Sequence, residues 1–153
     1  MGITITRPST TVDVITDLQA LREALEAAQD IQQNGPTPKT RLKALKRRVD
    51  ESTLVLHLHG LTSSRWNMIV VKRTRADGDR IVKDWPGMIA DALPDMLDKA
   101  EWKTSRDPVD LSGDALTDLL DSMSDTQTRD VMVTVQELNT PVTTVPKALA
   151  DLL

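Results

Sequence analysis

The sequence predicts a mainly α protein with a small β element, an α+β arrangement of helical hairpin, short strand pair and then a C-terminal helical bundle. Three observations lead there. Hydrophobic residues make up 39% of the chain but aromatics only 2%, all Trp. A core of Leu, Val, Ile, Ala and Met favours helix on helix, because sheets lean on aromatic and β-branched side chains. The apolar period changes clearly from two to roughly 3.6 in one stretch only, Thr53 to Arg73. Caps and Pro or Gly breakers cut the rest into helix-length pieces.

Residues 1–11, Thr-rich with Pro8, read as a flexible N-terminal arm, and Val12-Asp13-Val14-Ile15 as a weak strand able to pair with Leu54 to Leu58. Thr16-Asp17-Leu18-Gln19 fits a capping box with Thr16 as the cap. The helix it opens should run to about Gln33 on a stripe of Leu18, Leu21, Leu25 and Ala28. Asn34-Gly35-Pro36 breaks it, and Thr37 with Pro38 reads as the start of a second helix to about Asp50, with Leu42, Leu45 and Val49 inward. Two helices joined by so short a breaker should form an antiparallel hairpin.

Thr53 to His59 alternates as a half-buried strand with Leu54, Leu56 and Leu58 on one face. It turns at Gly60 into a helix capped by Thr62 or Ser63 and running to about Arg75, with Trp66, Ile69, Val70 and Arg73 on one stripe. Strand and helix are expected to share one core. Ala76-Asp77-Gly78-Asp79 closes the helix as a turn, and Asp84-Trp85-Pro86 starts another, with Met88, Ile89, Ala92 and Leu93 inward, which Pro94 stops or kinks. Asp95 to Asp110 reads as an exposed connection anchored by Trp102. Ser112 should cap a helix with Leu116, Leu119, Leu120 and Met123 inward. Ser124-Asp125-Thr126-Gln127 is a second capping box, opening a helix with Val131, Val135 and Leu138 inward, ended by Asn139-Thr140-Pro141. Residues 12–140 are thus expected as one mainly helical domain and 141–153 as a peripheral tail, with Trp66 and Trp85 in the core.

The formal net charge of -4 gives no overall electrostatic case for nucleic acid, and the absence of Cys removes disulfides, thiol chemistry and Cys-based zinc sites. No apolar run approaches the roughly 18 to 20 residues of a membrane span, and the first residues lack the order of a signal peptide. The expectation is a soluble intracellular protein.

His57 and His59 share a strand face, but a metal needs more ligands than this pair and none lies nearby in sequence, so the polar face of a half-buried strand is the favoured reading. No carboxylate pair, Ser or Gly-rich loop sits in a catalytic context, so neither an enzyme nor a cofactor is expected. Lys39, Arg41, Lys43, Lys46, Arg47 and Arg48 make a basic helix. Without aromatic interleaving it reads as a solvated face, or as the complement of Glu23, Glu26 and Asp30, ahead of a nucleic-acid site. Met residues suit either core filling in a chain without Phe or Tyr, or an adaptable groove if clustered and exposed. Met88, Met96, Met123 and Met132, with Lys43 and Arg47, are the candidate partner-binding residues.

The order of features then becomes informative: Val12 to Gln33, a charged second helix, Leu54-Val55-Leu56-His57-Leu58-His59-Gly60-Leu61-Thr62-Ser63-Ser64-Arg65-Trp66, Trp85-Pro86 with Met88-Ile89-Ala90, Leu116 to Asn139, and Val145-Pro146-Lys147. Over about residues 12–146 the chain resembles small tail proteins of long-tailed, siphovirus-type actinobacterial phages, usually taken to be tail assembly chaperones. It departs after Trp66, where Val71 to Gly78 replaces a His-Pro-Pro segment and a longer loop. The resemblance implies a non-catalytic helper in the host cytoplasm that binds the tape measure protein while the tail tube protein polymerises around it, with self-association as a further possibility. The alternative is a structural tail or connector protein retained in the virion.

Overall fold

The computed structural model describes residues 2–35 and 39–153, so the expected Thr37 cap and Pro38 lie outside the described residues. In order the elements are β1 (Ser9–Ile15), α1 (Leu18–Asn34), α2 (Thr40–Glu51), β2 (Thr53–His59), α3 (Ser63–Lys72), β3 (Thr74–Asp77), β4 (Arg80–Lys83), α4 (Trp85–Met96), β5 (Leu97–Trp102), β6 (Pro108–Val109), α5 (Asp114–Ser122), α6 (Asp125–Asn139) and α7 (Lys147–Asp151). This is an α+β fold in which helix outweighs strand. The chain gathers into two compact units: a sheet unit of Thr11–Leu58 and Leu97–Leu116, and a helical unit of Met1–Thr10, His59–Met96 and Thr117–Leu153. The expected hub therefore divides, with β2 in the sheet unit and α3 in the helical one.

In the sheet unit four strands lie in the order β1-β2-β5-β6. The expected pairing of the first strand with Leu54 to Leu58 is present, and Leu54, Leu56 and Leu58 are buried beside Val14 and Ala100. Asp95 to Asp110, expected as an exposed connection, instead holds β5 and β6. β5 runs antiparallel to β2 with Leu54 opposite Trp102 and Leu56 opposite Ala100. β5 fully buries only one side chain, Ala100, so its sequence carries no apolar alternation.

Helices α1 and α2 form the expected hairpin, but α1 buries Ala20 and Ala24, with Ala27 and Leu21 packed beside them, against Leu45 and Val49. Small alanines let the two helices approach closely, which leaves Leu18 and Leu25 of the expected stripe outside. Asp17, not Thr16, caps α1 by accepting from the Ala20 amide at 2.9 Å, while the Thr16 hydroxyl donates to the Ser52 carbonyl. Gly35 just past α1 has φ 79° with ψ -163°, a positive-φ extended backbone that glycine adopts readily. Among the described residues Glu23, Glu26 and Asp30 make no ion pair with α2: Glu26 pairs with Arg22 within α1, Asp30 accepts from Asn34, and Arg48 reaches Asp17 at the start of α1.

In the helical unit Thr62 caps α3 through the Arg65 amide. The helix stops at Lys72, three residues short of expectation, because Thr74 to Lys83 folds back as the β3–β4 hairpin through Gly78. Pro94 sits inside α4 and does not end it. Ser124 and Gln127 form the complete capping box of α6. Ile69, Met88, Ile89, Ala92, Leu93, Met96, Val131 and Val135 are enclosed, with Trp66 beside them at 7% exposure. Trp85 was expected in the core but is 38% exposed, because as the first residue of α4 it lies at the rim. Of the Leu116 to Met123 stripe only Leu116 is fully buried.

A buried polar contact closes this unit. The Leu61 amide donates to Asn139 Oδ1 at 2.7 Å, and Asn139 Nδ2 donates to the Val135 carbonyl at 2.9 Å. The end of α6 is thereby tied to the chain entering α3. Gly60 beside it is required by space, since a Cβ there would lie 2.5 Å from the Leu138 carbonyl oxygen.

Candidate interaction groove

An open groove lies between α3 and α4. On α3, Trp66, Ile69, Val70 and Arg73 turn toward the unit as the sequence predicts. Helical spacing then puts Ser64, Met68 and Val71 on another stripe, at i, i+4 and i+7. Met68 is 64% and Val71 74% exposed. With Ala90 and Pro94 of α4 they line an open groove of about 880 Å³. Pro94 has no amide to offer the Ala90 carbonyl, and both residues face this groove.

The polar groups of the rim are largely committed to one another. Arg65 Nε bonds Asp95 at 2.9 Å. Arg73 grips Asp91 with Nε at 2.8 Å and Nη2 at 2.9 Å, a two-point fork joining the end of α3 to α4, and Lys72 Nζ lies 3.7 Å from the same carboxylate. The hydrogen bonds from Arg73 hold the Asp91 carboxyl below the usual aspartate range, and Asp91 in turn raises Arg73. Paired charges beside an apolar floor suit docking of an apolar stripe without requiring a matching charge.

The expected partner-binding residues fall in different places. Met88 and Met96 are 0% exposed and fill core, while Met132, 6% exposed, also borders a small recess. Met123 is half-buried. Lys43 and Arg47 are exposed on α2, in the sheet unit. Met68 and Val71 were not among the expected site residues. Their signal was the second apolar pair on α3, offset from the Trp66 stripe. A smaller apolar recess in the helical unit is lined by Trp85, Met132 and Val133, with Lys83 Nζ 5.4 Å from the Trp85 ring centre.

His57 Nε2 lies 3.0 Å from Glu101 Oε1, and this hydrogen bond lowers the Glu101 pKa. The pair is the polar side of the β2–β5 ladder. Among the described residues no three His, Asp or Glu side chains gather as a metal site, and no helix is long and apolar enough to cross a membrane.

Comparison with protein-family models, curated proteins and solved structures returns no match. The groove must therefore be judged on its own chemistry.

Proposed function

We propose that the protein is a non-catalytic tail assembly chaperone, which holds the helical tape measure protein of its phage in the host cytoplasm until tail tube subunits displace it. The observation that carries this reading is the α3–α4 groove, where Met68 and Val71 stand exposed above a floor that includes Ala90 and Pro94. A long helical protein waiting for assembly exposes apolar stripes that would otherwise aggregate, and an open groove with paired rim charges can shield such a stripe reversibly. The resemblance of the feature order, over about residues 12–146, to small phage tail proteins supports the same reading.

Co-expression with the tape measure protein of the same genome tests it. The expected result is a soluble complex in the lysate, with this chain missing from purified virions by mass spectrometry. Stoichiometric retention in virions would instead favour a structural tail or connector protein. A tape measure protein that stays insoluble and uncaptured would remove the chaperone reading.

A further inference from the structure

We propose that a second groove, lined by α1 and α2 of the sheet unit and bordered by Asp13, Ile15, Thr53 and Lys103, is a docking site for an amphipathic partner helix that carries acidic residues along one flank. The inference does not depend on the tape measure reading, since it rests on a different unit and on charge. Ile15, Leu21, Leu25, Ala28 and Leu42 supply the apolar lining of this recess, whose volume is about 640 Å³. Leu25 remains 62% and Leu18 41% exposed. Both belong to the side of α1 left over when the alanines turn toward α2. A helical hairpin with an uncovered leucine row between its members offers the seat of a third helix.

The two edges of the seat differ in charge. Lys46 lines the groove on the α2 side. Lys39 and Lys43 precede it at i−7 and i−3, so the three ammonium groups follow one stripe along the edge, with Arg47 next to it. Lys46 is balanced by Asp50, and Lys103 at the groove by Asp13. Lys39, Lys43 and Arg47 have no ion pair among the described residues. Across the groove the α1 edge runs through Leu18, Arg22, Leu25 and Gln29, and its one charge, Arg22, is balanced by Glu26. An incoming helix with leucines beneath and carboxylates on the α2 side satisfies both features, while a helix with lysines there would meet like charge.

The probe is a fluorescent synthetic helix of about twenty residues, long enough at ~30 Å to span the hairpin, with a leucine stripe and glutamates on one flank. Its control has lysines at the same places. With the full chain at low salt, the glutamate helix should bind about ten-fold more tightly than the lysine helix, and added salt should shrink the difference. Lys43→Glu with Arg47→Glu, both at exposed positions, should abolish the preference, and Leu25→Asp should weaken both helices. Failure of the glutamate helix to bind, equal binding of the two helices, or indifference to Leu25→Asp would overturn the proposal. A DNA duplex that binds as tightly, loses affinity in the charge variant and ignores Leu25→Asp would replace it with a simple polyanion patch.

Discussion

Replacing Asn139 by Ala tests the buried tie between α6 and the start of α3. The substitution removes the acceptor of the Leu61 amide, a 2.7 Å bond, in surroundings where both residues are only 9% exposed. No water can readily replace the carbonyl, so the amide is left with most of its desolvation penalty, about 1–3 kcal/mol. The Val135 carbonyl loses less, because as a helical carbonyl it also faces the amide four residues on. The small void adds a fraction of this. The expected loss is about 2–3 kcal/mol, equivalent to a fall of about 4–12 °C in Tm for a chain of this size. Urea unfolding followed by circular dichroism measures it, with Thr140→Ala as a neighbouring exposed control expected within about 0.5 kcal/mol of the parent. Asn139→Asp should also destabilise, since it keeps the acceptor for Leu61 but turns a second oxygen toward the Val135 carbonyl. An Asn139→Ala protein as stable as the Thr140 control would show that this contact does not hold the unit together.

Gly60→Ala would drive a methyl group to 2.5 Å from the Leu138 carbonyl oxygen, a backbone atom of α6. Thermal melts should show a loss of about 1–3 kcal/mol, and a melt matching the parent would contradict the close approach. Trp66→Ala should lose about 3–5 kcal/mol, whereas Trp85→Ala, at a rim position, should lose about 1 kcal/mol; equal losses in parallel melts would refute the placement of the two indoles. Asp91, Glu101 and Asp110 have pKa values held below their ordinary 3.8, 4.5 and 3.8 by Arg73, His57 and Ser112 respectively. The unfolded chain therefore takes up protons first as pH falls, so the stability these carboxylates add is complete above about pH 5 and lost through pH 4 and below. Urea midpoints should drop over that window, less steeply in Asp91→Asn, and parallel curves for parent and variant would count against the Arg73–Asp91 fork.

Where one physical signal dominated, the sequence was a good guide. Alternation located β2, side-chain caps located the starts of α3 and α6, and the Trp66 stripe gave the inward face of α3. The weaker elements depend on tertiary context. β3 and β4 are almost entirely exposed, so Thr74-Arg75-Ala76-Asp77 and Arg80-Ile81-Val82-Lys83 show no period to read. Leu18 and Leu25 look like the core face of α1 by hydropathy, yet alanine wins that position because it brings the helices closer. The same limitation affected the candidate site. Burial cannot be read from a methionine's identity, and Met88 and Met96 went to the core while Met68 stayed outside.

The proposed chaperone role requires the exposed face of α3 to receive an apolar stripe of the tape measure protein. Val71→Asp measures it most directly, because Val71 is 74% exposed and its replacement need not disturb the core. Calorimetric titration of the full chain with the tape measure protein should give an affinity at least about ten-fold weaker for the variant, with an unchanged melting temperature. Undiminished affinity in Val71→Asp, or no binding by the parent chain, would contradict it.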